Sequence, residues 1–473
     1  MKINVINSRV YGNPYQKLLY AAIGSRYQIA SGTLSKAIRQ QLLTKRSVYH
    51  IHWEESFFAK CRSVAQAVRV RREFIEALGQ YVSFGGKVVW TLHNIRPHEG
   101  RFTQTFLSLR KDLAVLSHRI LVHNRSALTI LQEQTGLSDL SKVTVLPHPA
   151  YFDIYEPADK TMILAGAPPA NPRTLLYFGL IRAYKGIPSL VRKLPREFMV
   201  SQKLSLHICG QPLRADSFLA DLLEQSRNRP EIKYSLDTVP TDEVADLLRS
   251  NAGLVIPYHN VLTSGVTVLA LTLGVPTIAP NTSAMRELFP ESSHHLLFNP
   301  RSPKDFRRAV LALVNMPIET RQKIARDYIG QALSYHPQEI SNTLGEIYDG
   351  LLGFTDSSEP LGPRCFWPQG LDDVIMGPRA YSQFHFFLEN GPEATCGPNA
   401  ASTTLSNAQL ALELVRATLI GNVRAGISDE LISNGVKDAN KLATERAKLD
   451  GVYAVQLYAD ILGRLDLHSK DEG

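Results

Sequence analysis

Two cations occupy the turn between a strand-like run and a helix-like run in LLYFGLIRAYKGIPSLV, residues 175–191. The first apolar run ends at Gly179, Arg182 and Lys185 follow it, and a new apolar run begins at Ile187. A guanidinium can hold two phosphate oxygens in a bidentate fork, and an ammonium acts as a point charge. The start of a helix adds partial positive charge. The spacing fits a phosphate site, and the alternative is a solvated basic turn.

A second feature of this kind lies in LVIPYHNVLTSGVTVLALTLGVPTIAP. A strand-like run ends at Tyr258, and Thr263, Ser264 and Gly265 precede an apolar helical run. A hydroxyl can cap that helix, and a glycine lets the backbone amides approach a ligand closely. An isolated TSG is more often an ordinary helix cap. Two such helix starts in one domain, however, suit the two phosphates of a diphosphate.

Polar side chains also follow the strand-like run KVVWTLHN. His93 and Asn94 end this run, and the next residues include Arg96, His98 and Glu99. A histidine and a carboxylate at one strand tip can accept and donate protons. On residue type alone, a histidine in this position is more often a satisfied polar residue than a catalytic one.

Another group of candidate residues stands at the end of the strand-like run YHIHW. Trp53 is the last residue of this run, and Glu54 and Glu55 follow it. An aromatic ring stacked on a sugar face beside a carboxylate would suit a saccharide site. The alternative places the tryptophan in the core and both glutamates in solvent. In GNPYQKLLY, Asn13 is the predicted helix cap and Pro14 the predicted first helical residue.

These polar residues must be positioned by strands, and the sequence predicts two groups of strands. The first set covers residues 2–7, 48–53, 87–94 and 119–124, and a helical pattern closed by Gly85 and Gly86 separates its second and third members. After a Pro-rich passage a second set covers residues 174–179, 204–210, 232–236, 252–258 and 275–280. Thr241 is the predicted N-cap of a helix between them. Alternating strands and helices predict doubly wound parallel sheets, whose carboxyl edges bind ligands.

Composition restricts the classes of protein that remain. Of 473 residues, 44% are hydrophobic and 20% charged, which is typical of a globular chain. The four cysteines are widely separated, which argues against a disulfide scaffold or a zinc site and for a reducing compartment. We expect no spanning helix and no signal peptide. The net charge of +8 favours anionic partners.

Residues 1–352 resemble the GT-B glycosyltransferases, and in particular the retaining bacterial enzymes called group 1 or family 4. The matching segments are VVWTLHNIRPH, YFGLIRAYKG, VPTDEVADLLRSNAGLVIPY and SGVTVLALTLGVPTIAP. The resemblance implies that Arg182 and Lys185 hold the donor diphosphate and that His93 lies under the donor sugar. The resemblance also implies a catalytic role for His93 and Glu99, in place of a purely structural one.

The resemblance also implies where the other candidates act. Thr263, Ser264, Gly265 and Gly12 are expected at the diphosphate, and Gly210 and Tyr258 on the nucleotide side. Candidate acceptor-side residues are Tyr15, Trp53, Glu54, Glu55 and Asn94. One departure stands out: many members carry two glutamates near the SGVT helix, where this sequence has Val261 and Leu269. The usual contact to the nucleotide ribose must therefore come from another group.

The expected architecture is α/β, with two Rossmann-like domains facing a cleft and a mainly helical C-terminal extension. Residues 1–155 would form the acceptor-side domain and residues 156–353 the nucleotide-sugar domain. Residues 354–473 would be a Pro/Gly-rich linker and a helical extension, with a structural role or a homodimer contact.

The expected activity is transfer from a UDP- or GDP-linked sugar to a glycan or lipid-linked saccharide in bacterial polysaccharide biosynthesis. No D-x-D triplet occurs in the sequence, so we expect no metal and no other cofactor. Retention would let a diphosphate oxygen take the acceptor proton. Inversion would need a protein base, for which Glu54, Glu55, Glu99 and His93 are candidates.

Two alternatives share the same fold. One is a nucleotide-sugar 2-epimerase, and the other is an inert partner subunit that binds nucleotide or glycan. The expected location is the cytoplasm, with no nucleic-acid partner. Basic residues interleaved with apolar ones in FFAKCRSVAQAVRVRR could rest on an anionic membrane on the inner face of the plasma membrane, and a solvated helix face fits them equally well.

Overall fold

The computed structural model describes residues 3–8, 14–95, 101–212, 217–257 and 262–354. They belong to one compact unit, Met1–Ser358. The expectations for Gly12, Asn13, Arg96, His98, Glu99, Tyr258, Val261 and residues 355–473 lie outside the described residues.

Two parallel sheets organise the described part of the chain, each with six strands. The first has the order β2-β1-β3-β4-β5-β6, with β1 Ile3–Asn7, β2 Tyr27–Ser31, β3 Ser47–Ile51, β4 Lys87–Leu92, β5 Arg119–Val122 and β6 Val143–Val145. The second has the order β12-β11-β10-β7-β8-β9, with β7 Asn171–Phe178, β8 Ser205–Cys209, β9 Ile232–Ser235, β10 Asn251–Val255, β11 Thr277–Pro280 and β12 Leu297–Phe298. Covered on both faces, the central strands are continuous apolar runs, as parallel sheets require.

Helices cover both faces of each sheet. Those that follow strands of the first sheet are α1 Tyr15–Leu19, α2 Leu34–Thr44, α3 Val64–Ser83, α4 Thr103–Leu116 and α5 Ser126–Thr135. Around the second sheet lie α6 Ala158–Ile163, α7 Ile187–Lys193, α8 Arg196–Ser201, α9 Ser217–Gln225, α10 Val244–Arg249, α11 Gly265–Thr272, α12 Ser283–Leu288, α13 Pro303–Val314 and α14 Ile318–Leu333. We call the first sheet with its helices the N lobe and the second sheet with its helices the C lobe. The last described helix is α15 Pro337–Leu352.

Five short 3-10 helices complete the described elements. They are Ile23–Ser25, Glu54–Phe58, Ala183–Lys185, Thr241–Glu243 and Glu291–Leu296. The second and third of these carry candidate site residues. Both stand directly after the carboxyl end of a parallel strand, where the sequence predicted ligand contacts.

The helix α15 returns from the C lobe to complete the core of the N lobe. Its apolar side chains Ile340, Leu344 and Tyr348 pack in one cluster with Tyr15 and Leu19 of α1. The ring of Tyr348 is fully buried. Arg26 Nη1 donates to Asp349 Oδ2 at 2.5 Å and fastens the last turns. The last described helix therefore belongs to the core of the N lobe, which the first residues of the chain also form.

Most element predictions agree with the structure, and a few local ones are wrong. Thr241 does not cap an α-helix: it starts a 3-10 turn after Pro240, and α10 begins at Val244. Pro14 takes the N-cap position of α1 rather than its first helical position. The strands β2, β6 and β12 were not predicted. They are short or partly exposed edge segments whose pairing depends on the rest of the sheet.

Candidate functional site

The turn after β7 brings two strand ends into contact. Gly179 and Gly210, which follow β7 and β8, have φ values of 123° and 145°. A Cβ on Gly210 would stand 1.9 Å from the carbonyl oxygen of Gly179. Only glycine fits there, because the left-handed backbone and the close approach both exclude a side chain.

Arg182 and Lys185 lie at this edge of the C-lobe sheet, as predicted. The Arg182 Nη1 group donates to the carbonyls of Ile181 and Gln211 at 2.9 and 3.3 Å, so the guanidinium bridges the two strand ends. Lys185 ends the Ala183–Lys185 turn, and its Nζ lies 5.5 Å from the centre of the Tyr184 ring. Both cations are half-buried beside the start of α7.

The start of α11 is adjacent to this turn. A Cβ on Gly179 would stand 3.4 Å from Val266 Cγ2, in the first turn of α11. Ser264 takes the N-cap position, and its carbonyl accepts from the Thr267 amide at 2.9 Å. The basic turn and the helix start therefore form one continuous surface. The cations of the turn and the positive end of α11 together complement the negative charge of a diphosphate.

The N lobe contacts this surface directly. Asn124, which follows β5, donates through Nδ2 to the Leu262 carbonyl at 2.7 Å and to Thr263 Oγ1 at 3.3 Å. A Cβ on Gly265 would stand 2.5 Å from the hydroxyl of Tyr151. The carboxyl edges of the two sheets thus meet at the loop that precedes α11.

Five buried histidines line the N-lobe edge, and their side chains form what we call the histidine network: His50, His52, His93, His123 and His148, with Tyr20. Tyr20 Oη contacts His50 Nδ1 at 3.0 Å and His52 Nε2 at 2.9 Å. His52 Nδ1 lies 3.0 Å from His93 Nε2, and His93 Nδ1 lies 3.3 Å from His123 Nε2. His123 Nδ1 lies 2.9 Å from the Leu146 carbonyl.

Burial keeps these imidazoles neutral. It lowers the pKa of His50 and His148 to about 3 and that of His123 to about 4, and it depresses the pKa values of His52 and His93 strongly. Each neutral ring has one N–H. Because the Leu146 carbonyl can only accept, His123 carries its proton on Nδ1. The same tautomer follows for His93 and His52, and the Tyr20 hydroxyl donates to His52 Nε2.

Both ring nitrogens of His93 are therefore occupied within the protein. His93 is only 6% exposed, and Trp53 stacks on it with ring centres 4.1 Å apart and an angle of 7°. Tyr15 packs edge-on against His93 and Trp53, with ring centres 5.1 and 5.5 Å away. The predicted residues Tyr15, Trp53 and His93 thus form one aromatic group under the cleft.

The two glutamates after Trp53 have different environments. Glu54 is fully buried: its Oε1 accepts from Arg110 Nε at 2.8 Å, and its Oε2 accepts from Trp90 Nε1 at 3.3 Å. Glu55 is half-buried, and its Oε1 accepts from Asn94 Nδ2 at 2.5 Å. The structure therefore brings Glu55 and Asn94 together at the strand tips, while Glu54 faces the interior of the N lobe.

Four of the five histidines of the network, together with Tyr20 and Arg110, were not predicted from the sequence. A usable signal was present, since the histidines stand at or near the carboxyl ends of successive strand-like runs, in YHIHW, TLHN, LVHN and LPHP. The replaced glutamate position, Leu269, is 2% exposed inside the apolar helix α11. Among the residues that the structure describes, no group of three or more His, Cys, Asp or Glu side chains is arranged to hold a metal ion. Within the same residues, no helix is long and apolar enough to cross a membrane.

Part of the chain matches a family of known proteins. Residues 172–316 match the model of the glycosyl transferases group 1. The chain is 28% identical over 269 residues to a GDP-mannose:glycolipid 4-beta-D-mannosyltransferase of Xanthomonas campestris pv. campestris, covering 57% of this chain and 70% of the relative.

Solved structures show the same fold at low sequence identity. The Anabaena protein HepE in complex with UDP has a TM-score of 0.54 and 13% identity, and the match covers 74% of this chain and 100% of that one. An alpha,alpha-trehalose-phosphate synthase (UDP-forming) from Burkholderia vietnamiensis has a TM-score of 0.55 and 11% identity, over 75% and 98% of the two chains.

Proposed function

We propose a donor, an acceptor and a mode of transfer for this protein, which is a GT-B glycosyltransferase of group 1. The C lobe binds the diphosphate of a nucleotide sugar between the basic turn and α11. The observation that carries this proposal is the close approach of the Gly179 turn to Val266, where a single added Cβ would fill the gap. It brings Arg182, Lys185 and the α11 amides to one surface. Thr263, Ser264 and Gly265 complete that surface.

The donor we propose is GDP-mannose, and the acceptor is a glycolipid in polysaccharide biosynthesis. The Xanthomonas relative supports both, since its name specifies them and the aligned part covers 70% of its length. A UDP-sugar is the alternative donor, because the HepE structure holds UDP. Gly210 stands beside the donor turn, and we place it on the nucleotide side because its backbone packs directly on the carbonyl of Gly179.

We propose that transfer needs no metal ion. A departing diphosphate gains negative charge, which must be stabilised by groups already in place. Arg182, Lys185 and the positive start of α11 provide that charge at one sheet edge. The protein's cations would then take the role that a divalent ion has in metal-dependent transferases.

A lipid-linked acceptor also suggests a membrane-facing surface on α3. Val64 and Val68 are 62% and 46% exposed on this helix. Arg69 and Arg72 share the helix, and each lies 3.8 Å from a glutamate one turn later. We propose peripheral contact with an anionic membrane through this face, driven by the exposed valines and by Lys60 and Arg62, which are exposed just before them.

Retention and inversion make different demands on the N lobe. The family resemblance implies retention, in which a diphosphate oxygen takes the acceptor proton. The relative's name specifies a β-mannosyl product. From a donor with an α sugar–phosphate bond, such a product requires inversion and therefore a protein base.

A donor screen tests the proposed function. The protein is incubated with UDP- and GDP-sugars, with and without a glycolipid acceptor, and released nucleoside diphosphate is measured. We expect release from GDP-mannose that increases severalfold with the acceptor. An epimerised nucleotide sugar without release would indicate a 2-epimerase, and tight binding without turnover would indicate an inert subunit. Either result would overturn the proposal.

A further inference from the structure

The acceptor hydroxyl must lose a proton as it attacks, and the described N-lobe edge offers histidines and two glutamates to take it. The histidine network does not supply a base. His93, its member beside Trp53, has both ring nitrogens bonded, to His52 and to His123. To accept a proton, His93 would have to break a buried hydrogen bond, which costs about 1–3 kcal/mol.

Glu54 is unsuited for a different reason. Its carboxylate is fully buried and forms an ion pair with Arg110 Nη2 at 2.7 Å. Arg110 is itself fully buried, and its Nη2 also donates to the Asn94 carbonyl at 2.6 Å. A carboxylate held in this way is occupied by contacts inside the N lobe and serves to fix the strand tip.

Glu55 has the properties that Glu54 lacks. The backbone of Trp53 is left-handed, with a φ of 47°, and it turns the chain between β3 and the Glu54–Phe58 helix. A bulky residue adopts this conformation only where its surroundings impose it. After this turn Glu54 lies inside and Glu55 is half-buried beside Asn94. The Asn94 amide orients the Glu55 carboxylate from the neighbouring strand.

The surroundings also set the proton affinity of Glu55. Burial, reinforced by the negative charge of Glu54, raises the pKa of Glu55 to about 7, against the opposing effects of Arg110 and the Asn94 hydrogen bond. A general base is most effective when its pKa lies near the working pH. Glu54, Arg110, Asn94 and the backbone amide of Glu55 itself are the neighbours that set this proton affinity.

Strand spacing places Glu55 across the cleft from the donor surface. The strands β3, β4 and β5 are neighbours in the N-lobe sheet. Their spacing of about 4.8 Å puts the tips of β3 and β5 about 10 Å apart. Asn124, after β5, contacts the loop before α11, and Glu55 follows β3, two strands away in the same sheet. A hexosyl group and an attacking hydroxyl can span this distance.

We propose that Glu55 is the catalytic base that deprotonates the acceptor hydroxyl, in a transfer that inverts the anomeric configuration. The acceptor oxygen forms a bond to the anomeric carbon while the bond from that carbon to the phosphate oxygen breaks. The hydroxyl proton moves to a Glu55 carboxylate oxygen, and the electron pair leaves with the nucleoside diphosphate. The proposal rests on the proposed function.

The product of the unmodified enzyme gives the first test. With the donor and glycolipid acceptor that turn over in the screen, nuclear magnetic resonance determines the anomeric configuration of the new linkage. We expect the opposite of the donor's configuration. The same configuration would overturn the proposal, and this result does not depend on how any variant folds.

The second test is Glu55→Gln, which keeps the shape of the side chain and removes the basic carboxylate. We expect kcat for transfer to fall by about 100-fold or more, with unchanged donor affinity. The fall of kcat/KM below pH 7 should also disappear. Glu319→Gln, an exposed change in the first turn of α14, is the matched control and should retain activity. A loss below tenfold would contradict the assignment. So would a Glu55→Gln pH profile that matches the unmodified enzyme.

The donor-site variants distinguish this proposal from the proposed function. If Arg182→Ala loses donor affinity while Glu55→Gln keeps transfer, the assignment of Glu55 is wrong and the function stands. If Arg182→Ala and Lys185→Ala both leave donor affinity unchanged, the proposed function itself is wrong.

Discussion

At the scale of single residues, neighbouring positions with similar chemistry have separate roles because their environments differ. Glu54 is bonded to Arg110 and Trp90 inside the N lobe, and Glu55 is bonded to Asn94 at its edge. The sequence alone placed both in one acceptor-side group. It could not separate them, because Arg110 comes from a distant helix and the turn at Trp53 depends on tertiary contacts.

Glycine at position 210 gives a residue-scale prediction about stability. Gly210→Ala forces a Cβ against the Gly179 carbonyl in a left-handed backbone. We expect the free energy of unfolding to fall by about 4 kcal/mol or more. Denaturant unfolding followed by circular dichroism measures it.

Gly79→Ala is the matched control, because Gly79 lies inside α3 and a Cβ there has no neighbour within 4 Å. It should raise the free energy of unfolding by up to about 1 kcal/mol. Equal effects of the two substitutions would contradict the close approach at Gly210.

At the scale of elements, the carboxyl ends of parallel strands carry nearly all of the candidate chemistry. The sequence predicted this for β3, β4, β7 and the start of α11, since apolar runs followed by polar tips are a local pattern. It did not predict the histidine network, which exists only because β3, β4, β5 and β6 are neighbours. It also did not predict that α15 packs on α1, because an amphipathic pattern does not name its partner.

The histidine network makes stability depend on pH. The folded-state pKa values of His50, His123 and His148, at about 3, 4 and 3, lie below the ordinary value of 6.5. The unfolded chain therefore binds more protons than the folded one between pH 6.5 and about 3. The stabilisation is complete above pH 6.5 and is lost as pH falls through this window.

We expect the denaturant midpoint to be nearly constant from pH 8 to 7 and to drop steeply from pH 6.5 to 4.5. The free energy of unfolding falls over the same pH range, and His148→Gln should make that fall shallower by about 1.4 kcal/mol per pH unit. Equilibrium unfolding at a series of pH values measures both. A midpoint that stays constant down to pH 4.5 would show that these histidines are already charged in the folded protein.

At the scale of the whole molecule, the two lobes are joined by few but specific contacts near the site. Glu287 at the end of α12 accepts from the backbone amides of Arg125 and Ser126 at 2.7 and 3.2 Å. These amides begin α5 in the N lobe, so a C-lobe carboxylate binds an N-lobe helix start. The contact favours the arrangement in which the donor surface meets Asn124.

Removing this contact should loosen the arrangement without unfolding either lobe. For Glu287→Ala we expect the donor KM to rise about fivefold, which corresponds to about 1 kcal/mol for an exposed pair. The radius of gyration should also increase in small-angle X-ray scattering. Glu291→Ala, a neighbouring exposed glutamate, should change neither quantity. Identical KM and scattering for Glu287→Ala would show that the contact does not hold the lobes.

The central claim is that a diphosphate binds to the C lobe between Arg182, Lys185 and the start of α11. Calorimetric titration of GDP-mannose into the unmodified protein and into the Arg182→Ala/Lys185→Ala double variant tests it most directly. Arg192→Ala, an exposed change at the far end of α7, is the control. We predict a loss of donor affinity of about 100-fold or more for the double variant, because two charge-assisted contacts are removed, and no change for the control. Equal affinity in all three proteins would contradict the account.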